Sequence, residues 1–201
     1  MSSFPPYLEK LKDAFYSLPS VTPKNAVRLA SDFIKLESVE RQRILKEIVD
    51  AAGSIKVCKI CGNFSTGEIC DICADPARSS AVVCVVEEVM DINAIEEAGF
   101  SGRYHVLRGR VDPLNKVLPA DLNIDTLYDR ISEGNIKELI LATNLNRKGL
   151  ATARYIYNEI TQKFPEVFVT QPAHGLSEGS EIVYVNPQTL KEAFEERKKF
   201  F

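Results

Sequence analysis

Apolar positions recur at helical spacing through the first fifty or so residues, disappear across a cysteine-rich interval, and return as dense β-branched runs from about residue 81. Leu8, Leu11, Phe15 and Leu18 share one stripe and predict a helix over residues 7–18. Pro19-Ser20-Val21-Thr22-Pro23 breaks it. A second helix follows, with Val27, Ala30, Phe33 and Ile34 on one face. Its start is well marked, since the Thr22 hydroxyl can cap free N–H groups and Pro23 suits the first helical position. A third helix is expected after Ser38, carrying Ile44, Leu45, Ile48 and Val49 and stopping at Gly53. Residues 1–54 thus read as a small all-helical unit.

Residues 55–80 have no helical period. Beyond them AVVCVV is an unbroken apolar run, the pattern of a strand covered on both faces. A helix over 91–99, a strand over Tyr104–Leu107, a proline-broken loop over 108–123 and a helix ending near Gly134 follow. Next come the strand ELILAT (138–143), a helix over 150–163 and a strand at Val167–Thr170. Strands alternating with helices predict βαβ units and a parallel α/β sheet, here over residues 81–176. Residues 177–201 form a short C-terminal segment, in which EIVYV suggests a strand and Asn186-Pro187 opens a last helix.

Composition narrows the class. The 201 residues are 45% hydrophobic and 26% charged, ordinary values for a globular protein and unlike a disordered tail, a collagen rod or a coiled coil. No stretch approaches the roughly 20 apolar residues of a membrane span, and MSSFPPYLEK lacks the layout of a signal peptide, so a cytoplasmic location is expected. Net charge is -3, yet unevenly placed: residues 1–57 hold nine Lys and Arg against seven Asp and Glu, and the acidic excess lies in the rest.

Four of the five cysteines fall in the patternless interval, as Cys58-x2-Cys61 and Cys70-x2-Cys73. Each pair can bring two thiolates to one ion, and two pairs complete a tetrahedral sulfur site that suits zinc first and iron less well. Gly62 and Gly67 let the short intervening loop double back. Four sulfurs leave no open position for water, so the expected ion is one structural Zn2+ per chain, with Cys58, Cys61, Cys70 and Cys73 as ligands. A redox dithiol, or four merely buried cysteines, are the other readings of these residues. Cys84, inside AVVCVV, reads as an inert core residue.

Two further groups bear on function. Lys24 and Arg28 lie one turn apart just inside the second helix, whose N-terminus presents free N–H groups and the positive end of its dipole. That arrangement can grip a DNA backbone without reading sequence, or can be an ordinary helical hairpin with solvated cations. Farther along the chain, Glu87 closes the first strand of the α/β region, and Asn144 and Asn146 follow ELILAT. The Toprim fold of topoisomerases and primases places a glutamate and a DxD-type cluster at these points to hold magnesium. TNLNRKGLATA has asparagine at both aspartate positions and Lys148-Gly149-Leu150 beyond, and neutral amides are poor ligands for a hard cation. The fold is therefore expected to be Toprim-like and the chain not to be an enzyme, with no catalytic residue assigned. His105 and His174 have no acid or nucleophile arranged beside them in sequence, so structural roles near strand ends are expected for both.

The order of these parts resembles the bacterial RecR recombination mediator family over nearly the whole chain. The strings that carry the resemblance are LPSVTPKNAVRLA, CKICGNFSTGEICDIC, CVVEEVMDI, YHVLRGRVDP, ELILATNLN and AHGLSEGSEIVY with TLKEAF after it. Two features depart from the family: the hairpin has Ser20-Val21-Thr22 in place of a GIG-type turn, and the acidic EGE stretch is absent after the asparagines. The resemblance implies four segments: a helix-hairpin-helix-like DNA-binding unit (1–54), a four-cysteine zinc finger (55–80), a Toprim-like domain (81–176) and the C-terminal segment (177–201). It implies a non-enzymatic, sequence-independent DNA-binding protein of recombinational repair, associated with the nucleoid when active. Such a protein works with RecO-like and RecF-like partners to load recombinase on single-stranded DNA, as a homotetrameric ring. Lys24 and Arg28 would then face DNA, and Cys58, Cys61, Cys70 and Cys73 would hold zinc. A zinc-containing interaction module without DNA contact and a metal-dependent Toprim nuclease or primase are the alternatives.

Overall fold

The computed structural model describes residues 4–173, 175–176, 179–195 and 197. His174, Ser177 and Glu178 lie outside the described residues, so the expectation for His174 and part of the AHGLSEGSEIVY string do too. The chain divides into two compact units, one ending at Ile55 and the other beginning at Lys56.

The first unit holds helices α1 (Pro6–Tyr16), α2 (Pro23–Lys35) and α3 (Ser38–Ser54). α1 and α2 form a hairpin. Ala26 and Ala30 are fully buried on α2, small enough to let the two helices approach, and Phe15 meets Phe33 edge to face at 6.2 Å. Thr22 caps α2 through Oγ1, which accepts from Asn25 N at 3.3 Å, as its position predicts. Ser20 in the turn takes φ +67°, a left-handed conformation that glycine adopts at no steric cost. On α3 the predicted stripe forms, but Leu45, Ile48 and Val49 are exposed.

The second unit starts with a small antiparallel pair, β1 (Lys56–Val57) and β2 (Phe64–Ser65), followed by α4 (Asp71–Ala74). Its main sheet comprises, among the described residues, β3 (Val82–Val86), β4 (Arg103–Val106), β5 (Glu138–Leu141) and β6 (Phe168–Thr170), all parallel in the order β4-β3-β5-β6. The crossovers carry α5 (Val89–Glu97), α6 (Asp125–Ser132) and α7 (Arg147–Lys163). Both faces of β3 are covered. Val83 and Val85 pack with Leu127, Ile131, Leu139, Ile156 and Ile160 on one side, while Cys84 and Val86 pack with Ile92, Tyr104 and Val106 on the other. That double coverage is why AVVCVV is continuously apolar.

The C-terminal segment departs from expectation. EIVYV is no strand: Ile182–Tyr184 is a single 3-10 turn, and α8 (Pro187–Glu195) follows. Ile182, Val183 and Tyr184 are exposed and no described strand pairs with them, so β-branched propensity finds no sheet to join. Among the described residues no helix is long and apolar enough to cross a membrane.

Candidate metal centre and the carboxyl end of the sheet

Cys58 follows β1, Cys61 lies in the loop toward β2, and Cys70 and Cys73 flank and enter α4. The four sulfurs lie within 4.8 Å of one another, and all four residues are buried. A tetrahedral ion bound at about 2.3 Å would space its sulfurs by roughly 3.8 Å, so the cluster fits such an ion with little adjustment. Backbone N–H groups already point at the sulfurs, from Cys70 to Cys58 Sγ (3.3 Å) and from Asn63 to Cys61 Sγ (3.5 Å). Burial opposes ionisation of Cys58, but N–H groups of Cys70, Cys61 and Ile60 outweigh it and hold its thiol down at about 7. Burial pushes Cys70 up to about 11, while a hydrogen bond with Cys73, together with burial, raises Cys61. A cation bound among the four sulfurs would displace their remaining protons.

This knuckle is fastened to the free side of β4. Val106 N–H donates to Cys61 O at 2.7 Å, and Asn123 Nδ2 donates to Val106 O at 3.0 Å. Ile72 of α4 joins the apolar cluster under β3 and β4. Gly62, at φ +81°, is required here, because a Cβ would stand 2.9 Å from Asn123 Nδ2 and 3.1 Å from Val106 O. His105, wholly buried, donates from Nε2 to Asn123 O at 2.6 Å, and burial lowers its pKa to about 4. It is a neutral structural residue, as expected.

At the carboxyl ends of β3 and β5 the acid predicted to end the first strand is fully enclosed. Glu87 Oε1 accepts from Asn144 N at 2.9 Å, and its Oε2 accepts from Asn144 Nδ2 at 2.8 Å and Arg110 Nη1 at 3.2 Å. Both oxygens are therefore engaged. Asn146 plays a different part, because its Oδ1 accepts from Lys148 N (3.1 Å) and Gly149 N (3.0 Å) and caps α7. Lys148 Nζ pairs with Asp112, whose carboxyl is held below its ordinary range by that bond and by one from Asn115. Beside Glu87, whose two oxygens are both taken, Asn144 offers only a neutral amide, a poor cage for magnesium.

The structure brings the four cysteines together, and it brings Glu87 to Asn144 but not to Asn146. Lys24 and Arg28 lie on the exposed face of α2, away from Ala26 and Ala30. Arg28 Nε stands 3.5 Å from Asp32 Oδ2, so part of its charge is already answered, whereas Lys24 has no ion pair among the described residues. Sequence reasoning missed Arg110 and Asp112 altogether.

Residues 55–75 match the RecR four-cysteine zinc finger domain family, and residues 81–171 match the Toprim domain family. The chain is 39% identical over 193 residues to a Recombination protein RecR of Leifsonia xyli, covering 96% of each chain. It is similar to proteins of the same name from Aquifex aeolicus (38% identity, 97% of this chain and 93% of that one) and Chelativorans sp. (40%, 97% and 96%).

Proposed function

The chain belongs to the RecR family of recombination proteins, and from that premise we propose that it is a DNA-binding mediator of recombinational repair that catalyses no reaction itself. In this reading it works with RecO-like and RecF-like partners to load recombinase on single-stranded DNA in the cytoplasm, as a tetrameric ring. Its four segments divide the labour: the helical hairpin touches DNA through Lys24 and Arg28, and the knuckle holds one structural Zn2+ on Cys58, Cys61, Cys70 and Cys73. The Toprim-like sheet is the scaffold, and the C-terminal segment completes the chain. Zinc would supply folding energy here and no reactive water.

The observation that carries the reading is the state of Glu87. With both its oxygens bonded to Asn144 and Arg110, and with Asn146 spent as a helix cap, no cluster of free carboxylates stands among the described residues where Toprim phosphoryl transfer needs one. What remains is a sheet that positions other surfaces.

Fluorescence anisotropy with single- and double-stranded DNA across a salt series tests this. Binding is expected to be sequence-independent and salt-sensitive. Each lost phosphate contact should flatten the log–log salt slope by about 0.9 on duplex and about 0.7 on single strands. The Lys24→Ala/Arg28→Ala protein should therefore bind more weakly with a flatter slope. Unchanged binding would remove the hairpin from the DNA interface. Retained partner binding with no DNA affinity at low salt would favour an interaction module. Cleavage or synthesis with Mg2+ or Mn2+ that vanishes in Glu87→Gln would overturn the non-enzymatic reading.

A further inference from the structure

Arg103 and Arg130 line a cleft of about 330 Å3 together with Lys59 and Ile60, the two residues between the first pair of cysteines. Each guanidinium donates to a main-chain carbonyl. Arg130 Nη1 donates to Tyr104 O at 2.6 Å, two residues along the strand from Val106, whose N–H holds Cys61. Arg103 Nη2 donates to Asp75 O at 3.5 Å, two residues after Cys73. Asp129 and Glu133 also line the cleft, yet among the described residues neither arginine has an ion pair. Two half-buried guanidiniums thus line one cleft, and no described carboxylate oxygen lies within 4 Å of either. The Arg103 Nε is enclosed with no acceptor at all.

We propose that Arg103 and Arg130 are the paired counter-charge of the four-cysteine site, balancing the negative charge of a bound metal tetrathiolate and thereby raising the site's affinity for zinc. A divalent ion on four thiolates carries a net charge of -2, which is costly to bury unless something opposes it. Two guanidiniums match it in number. Burial holds the Arg130 pKa below its ordinary value, partly offset by the nearby sulfurs of Cys73, Cys61 and Cys58, while Arg103 adds to the lowering as a like charge. They are positioning residues that act through the ligands and touch no metal.

The inference rests on the reading of the four cysteines as zinc ligands, and its test separates the two. Zinc affinity is measured by competition with a chromophoric chelator on the full-length chain, with far-UV circular dichroism as the check on folding. Glutamine keeps a donor for the carbonyl and removes the charge, whereas lysine keeps the charge and loses the fork. Outer-shell changes at metal sites commonly cost about 10- to 100-fold in affinity. Arg130→Gln and Arg103→Gln are expected to weaken zinc binding by that order and the double variant by more, while Arg130→Lys recovers most of the loss. Wild-type affinity in both glutamine variants, or an Arg130→Lys protein as weak as Arg130→Gln, would overturn the proposal. If Arg130→Gln fails to fold, Arg103→Gln and Arg130→Lys decide between the same outcomes. A wild-type protein that takes up no zinc would instead sink the metal reading itself.

Discussion

A methyl group added at Gly149 would sit 2.0 Å from the carbonyl oxygen of Asn144 and 2.5 Å from Oε1 of Glu87. No flexible side chain can yield there, because the first contact is backbone and the second is a carboxylate held by Asn144 and Arg110. Gly149→Ala is therefore expected to lower stability by about 1–3 kcal/mol, read as a lower urea midpoint at unchanged slope. His105 makes a pH-dependent contribution of definite sign. Its folded pKa of about 4 lies below the ordinary value of 6.5, so between these values the unfolded chain takes up a proton that the folded chain refuses. Stability is whole well above pH 6.5 and falls on acidification toward pH 4, by roughly 3 kcal/mol. Urea titrations at matched metal content should show a shallower acid decline in His105→Gln, whose amide can still donate to Asn123 O. An equal decline in both proteins would remove His105 as the cause.

Among the elements, β4 is the one whose surroundings matter most. On one side it pairs with β3; on the other, Tyr104 O, Val106 N and Val106 O are taken by Arg130, Cys61 and Asn123. A side that would otherwise offer a row of open donors and acceptors is closed by the knuckle. Removing the ion with a strong chelator is expected to speed amide exchange at Cys58, Cys70 and Val106, while Leu139 and Leu141 of β5 keep their protection. Loss of protection throughout the sheet would show that the knuckle and sheet unfold together. At this scale much was legible beforehand. Apolar runs, AVVCVV the plainest of them, located the strands of the main sheet, and Thr22-Pro23 located the start of α2. EIVYV misled because a strand requires a neighbour as well as propensity, and its neighbours are not coded locally. The same limit hid the Arg110–Glu87 pair, which spans 23 residues of sequence, and the Lys148–Asp112 pair, which spans 36.

For the whole molecule, a pI of about 5.6 and a net charge of -3 describe an average that no ligand meets. The expected DNA contact is two cations on one face of α2, where Arg28 already shares its charge with Asp32. An isolated hairpin of that kind would bind weakly at physiological salt, and the salt series described above is accordingly the measurement in which its contribution is most visible. The double CxxC announced its cluster from spacing alone, because ligand geometry is local, whereas the arginines beside it come from β4 and α6 and converge only in the folded chain. The closure of β4 also decides what damage to this protein looks like. A sample stripped of its ion and warmed should clump and not recover on cooling, since a peeled-back knuckle leaves a bare strand able to recruit another molecule's. Repletion beforehand should make the same thermal cycle reversible.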